Sequence, residues 1–203
     1  MIRTVIFDWS GTLSDDCEAV YRATMDVFRH YGRPAVSMEI YRREFVLPYM
    51  DYYYRNIPEI DRAVADDIFR RRFPAYHRLR IFPGAAEALA RLAGRGITLA
   101  VLSAHYREKL EAEIAASGLA GRFTRVEGGV ANKIETLPRL MREAGYDPAA
   151  TAYVGDMRHD MDAAHAAGVT PVAVAWGYEA PEVLRAAGAA CVIGTVEELG
   201  ELA

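Results

Sequence analysis

The chain has 203 residues and a formal net charge of −4, with 52% apolar and 26% charged residues, a balance close to that of an ordinary soluble globular protein. The acidic excess removes the electrostatic reason to expect a nucleic-acid backbone or an anionic membrane as partner, and Cys17 and Cys191 are too few and too far apart for a zinc cluster or a disulfide framework. With no apolar run near the roughly 18 residues of a membrane span and no secretory leader pattern at the N-terminus, a reducing, cytoplasmic setting is expected.

Reading from the N-terminus, the short β-rich run Thr4 to Phe7 leads into turn residues, and Ile97 to Leu102, Ala152 to Val154 and Val169 to Ala175 repeat the pattern. Helical periodicities lie between them, at Gly84 to Ala93, Tyr106 to Ser117, Ile134 to Ala144, Asp160 to Ala167 and Ala180 to Ala187. Alternation of this kind predicts an α/β domain with a largely parallel sheet. Phe123 to Val126 and Cys191 to Ile193 are candidate edge strands, and Gly118, Gly145, Gly168 and Gly188 stand where helices need a left-handed cap.

Residues 15 to 80 break the alternation, with no glycine but Gly32 and no convincing strand. They predict a helical insertion, with Ser37 as a helix cap, Pro48 ending or kinking a helix, and Pro58 and Pro74 punctuating the remainder of the segment. The insertion holds eight of the twelve tyrosines. An aromatic-cored bundle and a substrate-facing lid both fit, and the Tyr49 to Tyr54 stretch suits an interface as well as a core. The Arg70-Arg71-Arg72 run is expected on a solvated face. The domain reading is therefore a core of residues 1–14 and 81–203 interrupted by a helical domain of 15–80.

In a parallel α/β sheet, ligands bind beyond the carboxyl ends of the strands. Asp8, Ser103 and Asp156 fall at three such ends, and Lys133 at a helix start. Each alone has a bland alternative: helix cap, turn serine, tight turn, surface lysine. Together they offer a carboxylate nucleophile, a hydroxyl and an ammonium for phosphate oxygens, and a second carboxylate for a hard cation such as Mg²⁺. Lysine is scarce here, since only Lys109 and Lys133 occur among 24 basic side chains.

Phe7-Asp8-Trp9-Ser10-Gly11-Thr12-Leu13 resembles the first motif of the haloacid dehalogenase superfamily. Leu102-Ser103-Ala104, Asn132-Lys133 and Gly155-Asp156 through Asp160 resemble its second, third and fourth motifs. The insertion matches the position of the family's C1-type helical cap, and Phe82-Pro83-Gly84 looks like the return to the core in phosphoglycolate phosphatase-like members. The resemblance implies a Rossmann-like α/β core and hydrolysis of a small phosphorylated molecule through an aspartyl-phosphate on Asp8. It also implies Mg²⁺ held by Asp8, the Ser10 carbonyl and Asp156, with Asp160 supporting the metal shell or Lys133. Ser103 and Lys133 would grip the phosphoryl group, joined by backbone N–H groups near Gly11 and Ala104, while Thr12 fixes the loop.

Ser10 departs from the pattern: phosphatases of this family usually carry an aspartate there, which protonates the leaving oxygen and then activates water. Loss of such a group costs about 10²–10⁴-fold, so slow turnover, or substrates with good leaving groups, is expected. His105, two residues after Ser103, is a candidate replacement or an ordinary helix-start histidine. Three other readings stay open: a catalytically weak regulatory binder of phosphate, a phosphomutase, and a phosphonoacetaldehyde hydrolase. The last needs a lysine in the cap, and residues 15 to 80 contain none. His159, Asp162 and His165 do not share one helical face and predict no metal box. Neither substrate nor oligomeric state is legible.

Overall fold

The computed structural model describes residues 1–202. It divides into two compact units, Met1–Asp15 with Leu79–Ala203, and Asp16–Arg78.

The first unit carries six strands, β1 (Thr4–Phe7), β2 (Thr98–Leu102), β3 (Arg125–Glu127), β4 (Thr151–Gly155), β5 (Thr170–Val174) and β6 (Cys191–Ile193). All pair in parallel, in the order β3-β2-β1-β4-β5-β6, which puts the expected edge strands at the edges. The central strands are buried on both faces, which is why they read as continuous apolar runs. Val5, Phe7, Val101 and Val154 face one way, into a cluster with Leu89 and Leu92 of α5 (Ala85–Gly94) and Leu110 of α6 (Arg107–Ala116). Ile6, Ala100, Leu102 and Tyr153 face the other, against Leu137 and Leu140 of α7 (Lys133–Ala144) and Ala163 and Ala164 of α8 (Arg158–Ala167). Burying each such large aliphatic side chain contributes roughly 1.5–3 kcal/mol, so the sheet's register is held from both sides. Helix α9 (Pro181–Ala186) completes the unit, its Leu184 packing on Met161 and Ala173.

Register decides what converges. Phe7 is level with Val101 on β2 and Val154 on β4, so Asp8, Ser103 and Asp156 emerge at one end of the sheet within a residue of the same level. The chain order reverses direction between β1 and β4, which opens a crevice at that end.

The second unit holds α1 (Cys17–His30), α2 (Met38–Glu44), α3 (Tyr49–Asn56) and α4 (Arg62–Tyr76). Ala19 and Ala23 of α1 pack on Phe73 of α4. Tyr41, Tyr52 and Tyr53 are buried, with Tyr41 and Tyr52 edge to face at 5.6 Å, so the tyrosine-rich stretch is chiefly core. The Ser37 hydroxyl accepts the Ile40 N–H and caps α2 as expected, and Pro48 precedes the first turn of α3. Pro74 sits inside the last turn of α4, which ends at Tyr76. Arg70, Arg71 and Arg72 are all exposed, as expected, and Arg72 in addition donates its Nε to the buried Asp26 carboxylate at 2.6 Å, beside the Tyr76 hydroxyl at 2.7 Å.

Candidate active site

The loop after β1 is built around one carbonyl: Trp9 O accepts the N–H groups of Leu13 and Ser14 at 2.9 and 2.8 Å. This winds residues 9–14 into a tight turn, anchored when the Asp8 N–H donates to Val154 O at 2.8 Å. Trp9 itself is buried, its indole N–H donating to Glu113 Oε2 on α6 at 2.8 Å. Gly11 has φ +74°, and a Cβ there would lie 2.2 Å from Asp156 Oδ2, so only glycine lets the turn approach β4 so closely.

At the crevice Asp8, Lys133, Asp156 and Asp160 are all buried. Lys133 Nζ lies 2.9 Å from Asp8 Oδ2 and 2.8 Å from Asp160 Oδ1. It is placed by α7, where Asn132 Oδ1 caps the first turn by accepting the Ile134 N–H at 3.0 Å. Both oxygens of Asp160 are engaged, Oδ1 by Lys133 and the Tyr153 hydroxyl, Oδ2 by the N–H groups of Asp156 and Met157. Asp160 therefore locks the lysine and the start of α8 together. Asp156 is held by the Thr12 hydroxyl on Oδ1 at 3.2 Å and the Tyr178 N–H on Oδ2 at 2.6 Å.

Burial pushes the Asp8 carboxyl up to about 6, although Lys133 pulls the other way. Asp156 is held well above the usual carboxylate range by burial and then by the charges of Asp8 and Asp160. Burial alone would depress Lys133, but Asp160 and Asp8 outweigh it and keep the ammonium well above its ordinary value.

Do these residues suit a divalent cation? Asp8, Asp156 and Asp160 bring one carboxylate oxygen each within 4.8 Å of one another, a hard-oxygen set of the kind Mg²⁺ prefers. With all three ionised, only one ammonium would stand against three carboxylates in a buried space, and burial together with that repulsion holds Asp156 above its usual range. Asp8 Oδ1 is buried with no hydrogen-bond partner among the described residues, a costly arrangement unless something else meets it. The residues fit the ion. Among the described residues they are the one such group, and His159, Asp162 and His165 form none.

Ser103 follows β2, buried, its Oγ accepting the His105 N–H at 3.3 Å. Ala104 is exposed in the adjoining turn. Gly11 gives its N–H to Ser14 O at 2.9 Å, which commits the donor that was expected to face phosphate. The His105 ring turns toward Glu113, with Nε2 3.6 Å from Oε2. Ser10 Oγ lies 3.1 Å from the hydroxyl of Tyr178. Tyr178 and Glu179 escaped the sequence reading, although they follow β5, a fifth strand ending at the same rim. Glu179 is buried and accepts from Arg158 Nε at 2.6 Å, tying the loop after β5 to the start of α8.

The fold and this acidic centre define an α/β domain whose reactive groups sit at the carboxyl ends of a parallel sheet. The chain belongs to the haloacid dehalogenase-like hydrolases, whose family pattern matches residues 5–174. It is 31% identical to a phosphoglycolate phosphatase of Synechococcus elongatus over 92% of this chain and 90% of that protein. It is also 31% identical to a probable phosphatase, IndB, of Dickeya dadantii, over 96% of this chain and 90% of that one. The fold superposes on a haloacid dehalogenase-like hydrolase of Streptococcus pneumoniae with a TM-score of 0.84 at 18% identity, covering 98% and 96% of the two chains.

Proposed function

We propose that the protein is a Mg²⁺-dependent phosphatase that hydrolyses a small phosphorylated metabolite through an aspartyl-phosphate on Asp8. The observation that carries this reading is the state of Asp8: one carboxylate oxygen is held by Lys133 at 2.9 Å and the other is buried without a hydrogen-bond partner among the described residues. That geometry suits a group that must present one oxygen to phosphorus while the neighbouring ammonium restrains the second.

In the first step an Asp8 oxygen attacks phosphorus and the bond to the leaving oxygen breaks. Lys133, with the Ser103 hydroxyl and the N–H groups around Ala104, meets the phosphoryl oxygens as charge develops on them. Gly11 contributes close approach, and Thr12 fixes Asp156. In the second step water attacks the aspartyl-phosphate, phosphate departs and Asp8 is restored. Asp8, the Ser10 carbonyl and Asp156, with Asp160 behind them, would hold Mg²⁺, which when bound would supply neutralising charge to the phosphoryl group. Asp160 keeps Lys133 in place throughout.

The helical unit acts as the cap, within a domain division of 1–14 with 81–203 for the core and 15–80 for the cap. It is the segment that selects the substrate, and the named activity of the Synechococcus relative makes 2-phosphoglycolate the first compound to try. A reducing, cytoplasmic setting belongs to the same reading, and Cys17 and Cys191 form no disulfide. Among the described residues no helix is long and apolar enough to cross a membrane. The test is phosphate release with Mg²⁺ over a panel of phosphorylated metabolites and an aryl phosphate. Asp8→Asn keeps the shape but loses the nucleophile, so turnover should fall more than about 10³-fold with the circular dichroism unchanged. Asp156→Ala should raise the Mg²⁺ needed for half-maximal rate or abolish activity. Substantial turnover in Asp8→Asn would remove Asp8 from the role.

A further inference from the structure

Tyr178 sits in the loop between β5 and α9 and is buried. It meets the site in three ways. Its backbone N–H donates to Asp156 Oδ2 at 2.6 Å. Its ring lies against the turn after β1, where a Cβ on Gly11 would come within 2.5 Å of Cδ2. Its hydroxyl lies 3.1 Å from Ser10 Oγ, so the side chain at position 10 is paired with a second neutral hydroxyl 168 residues away in sequence.

A phenol is a better donor and a poorer acceptor than an aliphatic alcohol, so the favoured direction runs from the Tyr178 O–H to Ser10 Oγ. A hydroxyl that accepts a hydrogen bond becomes a stronger donor itself, and its own proton is directed away from the tyrosine. We propose that Tyr178 is a positioning residue. It holds and polarises the Ser10 hydroxyl so that this hydroxyl donates a hydrogen bond to the leaving oxygen of the substrate. The inference rests on the phosphatase reading above.

The bonds made and broken stay those of the first step: Asp8 oxygen to phosphorus forms, phosphorus to leaving oxygen breaks. No proton crosses from serine or tyrosine; the departing oxygen is protonated by water. The pair offers a neutral hydrogen bond to charge that grows as the P–O bond lengthens. That charge is large for an alkoxide and small for an aryl oxide, whose ring disperses it. Tyr178 should therefore set the preference between alkyl and aryl phosphates.

Tyr178→Phe removes one oxygen while keeping the ring beside Gly11 and the backbone N–H on Asp156. The alkyl-to-aryl ratio of kcat should fall about five- to tenfold, the effect of one hydrogen bond near 1 kcal/mol, with KM changed less than the ratio. Ser10→Ala, which leaves Tyr178 in place, should lower the same ratio. Adding Tyr178→Phe to Ser10→Ala should then change it by less than about twofold, because the two groups act as one unit. Equal loss on both substrate types, or the same loss with and without the Ser10 hydroxyl, would reduce Tyr178 to packing and overturn the inference. A wild-type protein inactive on every phosphate ester would defeat the phosphatase reading, and this inference with it. A flat ratio in an active enzyme sinks only the inference.

Discussion

Asp8, Lys133 and Asp160 form a short chain of charge in which every contact but one is internal. Asp160 spends both oxygens on the scaffold, Lys133 spans the two carboxylates, and the remaining oxygen of Asp8 is buried with no hydrogen-bond partner among the described residues. Asp8 and Asp156 were legible as a pair because β1 and β4 end at one rim of the sheet, and Lys133 because it opens a helix that follows directly on Asn132. Tyr178 and Glu113 were not, because their partners Ser10 and Trp9 are 168 and 104 residues away and nothing local marks the pairing. The sequence shows that Ser10 is unusual, and the structure adds that its hydroxyl is already engaged. If the site lacks only a proton donor, Ser10→Asp should raise hydrolysis of alkyl phosphates by at least about tenfold more than that of aryl phosphates, the lower edge of general acid–base effects being near 10². Steady-state kinetics on matched ester pairs reads this directly. No gain, together with a large loss in His105→Ala, would move the proton transfer to His105 and overturn the account.

At the level of elements, the strands were legible to within about two residues, since burial on both faces leaves uninterrupted apolar runs bounded by polar turns. Helix ends were legible to the same margin, with one instructive offset. The run placed at Asp160 to Ala167 begins at Arg158, because Asp160 caps the preceding N–H groups from its third position, a device periodicity does not reveal. In the helical unit two tertiary contacts leave no local mark in the sequence: Phe73, beside Pro74 in the last turn of α4, packs on Ala19 and Ala23, and Arg72 reaches back to Asp26 on α1. Burial would raise the Asp26 carboxyl, but hydrogen bonds from Tyr76, Arg72 and Arg29 win and hold it below its ordinary value. A depressed folded value makes the contribution complete above the unfolded carboxylate range, near 3.9, and lost as pH falls through the folded value. Asp26→Asn should therefore lower the urea midpoint of the helical unit at pH 5 to 7, and the gap from wild type should close as pH drops below about 3.9. Near-UV signals of tyrosine report this unit, which holds eight of the twelve tyrosines, while both tryptophans, Trp9 and Trp176, lie in the other. A gap that persists unchanged at low pH would show that the side chain acts by shape and not by charge.

For the whole molecule, the question is how far the α/β unit depends on the helical one. All the proposed site residues belong to the α/β unit, and the two chain segments that enter and leave the insertion are already joined there. Asp15 N–H donates to Arg80 O at 2.8 Å, Phe82 N–H to Leu13 O at 3.0 Å, Ser14 and Ile81 form an antiparallel bridge, and the Arg80 guanidinium lies 2.9 Å from Asp15 Oδ2. These contacts tie Leu13 to Asp15 against Arg80 to Phe82 within the α/β unit. They also make the segment ends a ready-made hairpin base, so replacing residues 16–78 by a short Asn-Gly turn costs little closure entropy. The shortened protein should fold, with native-like emission from Trp9 and Trp176, and retain Mg²⁺-dependent hydrolysis of an aryl phosphate. If the helical unit supplies substrate selection, binding energy from the non-reacting part of the metabolite is then lost, and kcat/KM for the preferred metabolite should fall at least about tenfold more than that for the aryl ester, which is roughly 1.4 kcal/mol of discrimination. Measuring both values on the wild-type and shortened chains decides the matter: a folded, active core that still distinguishes metabolites as the wild type does would place selection in the α/β unit and refute the cap assignment.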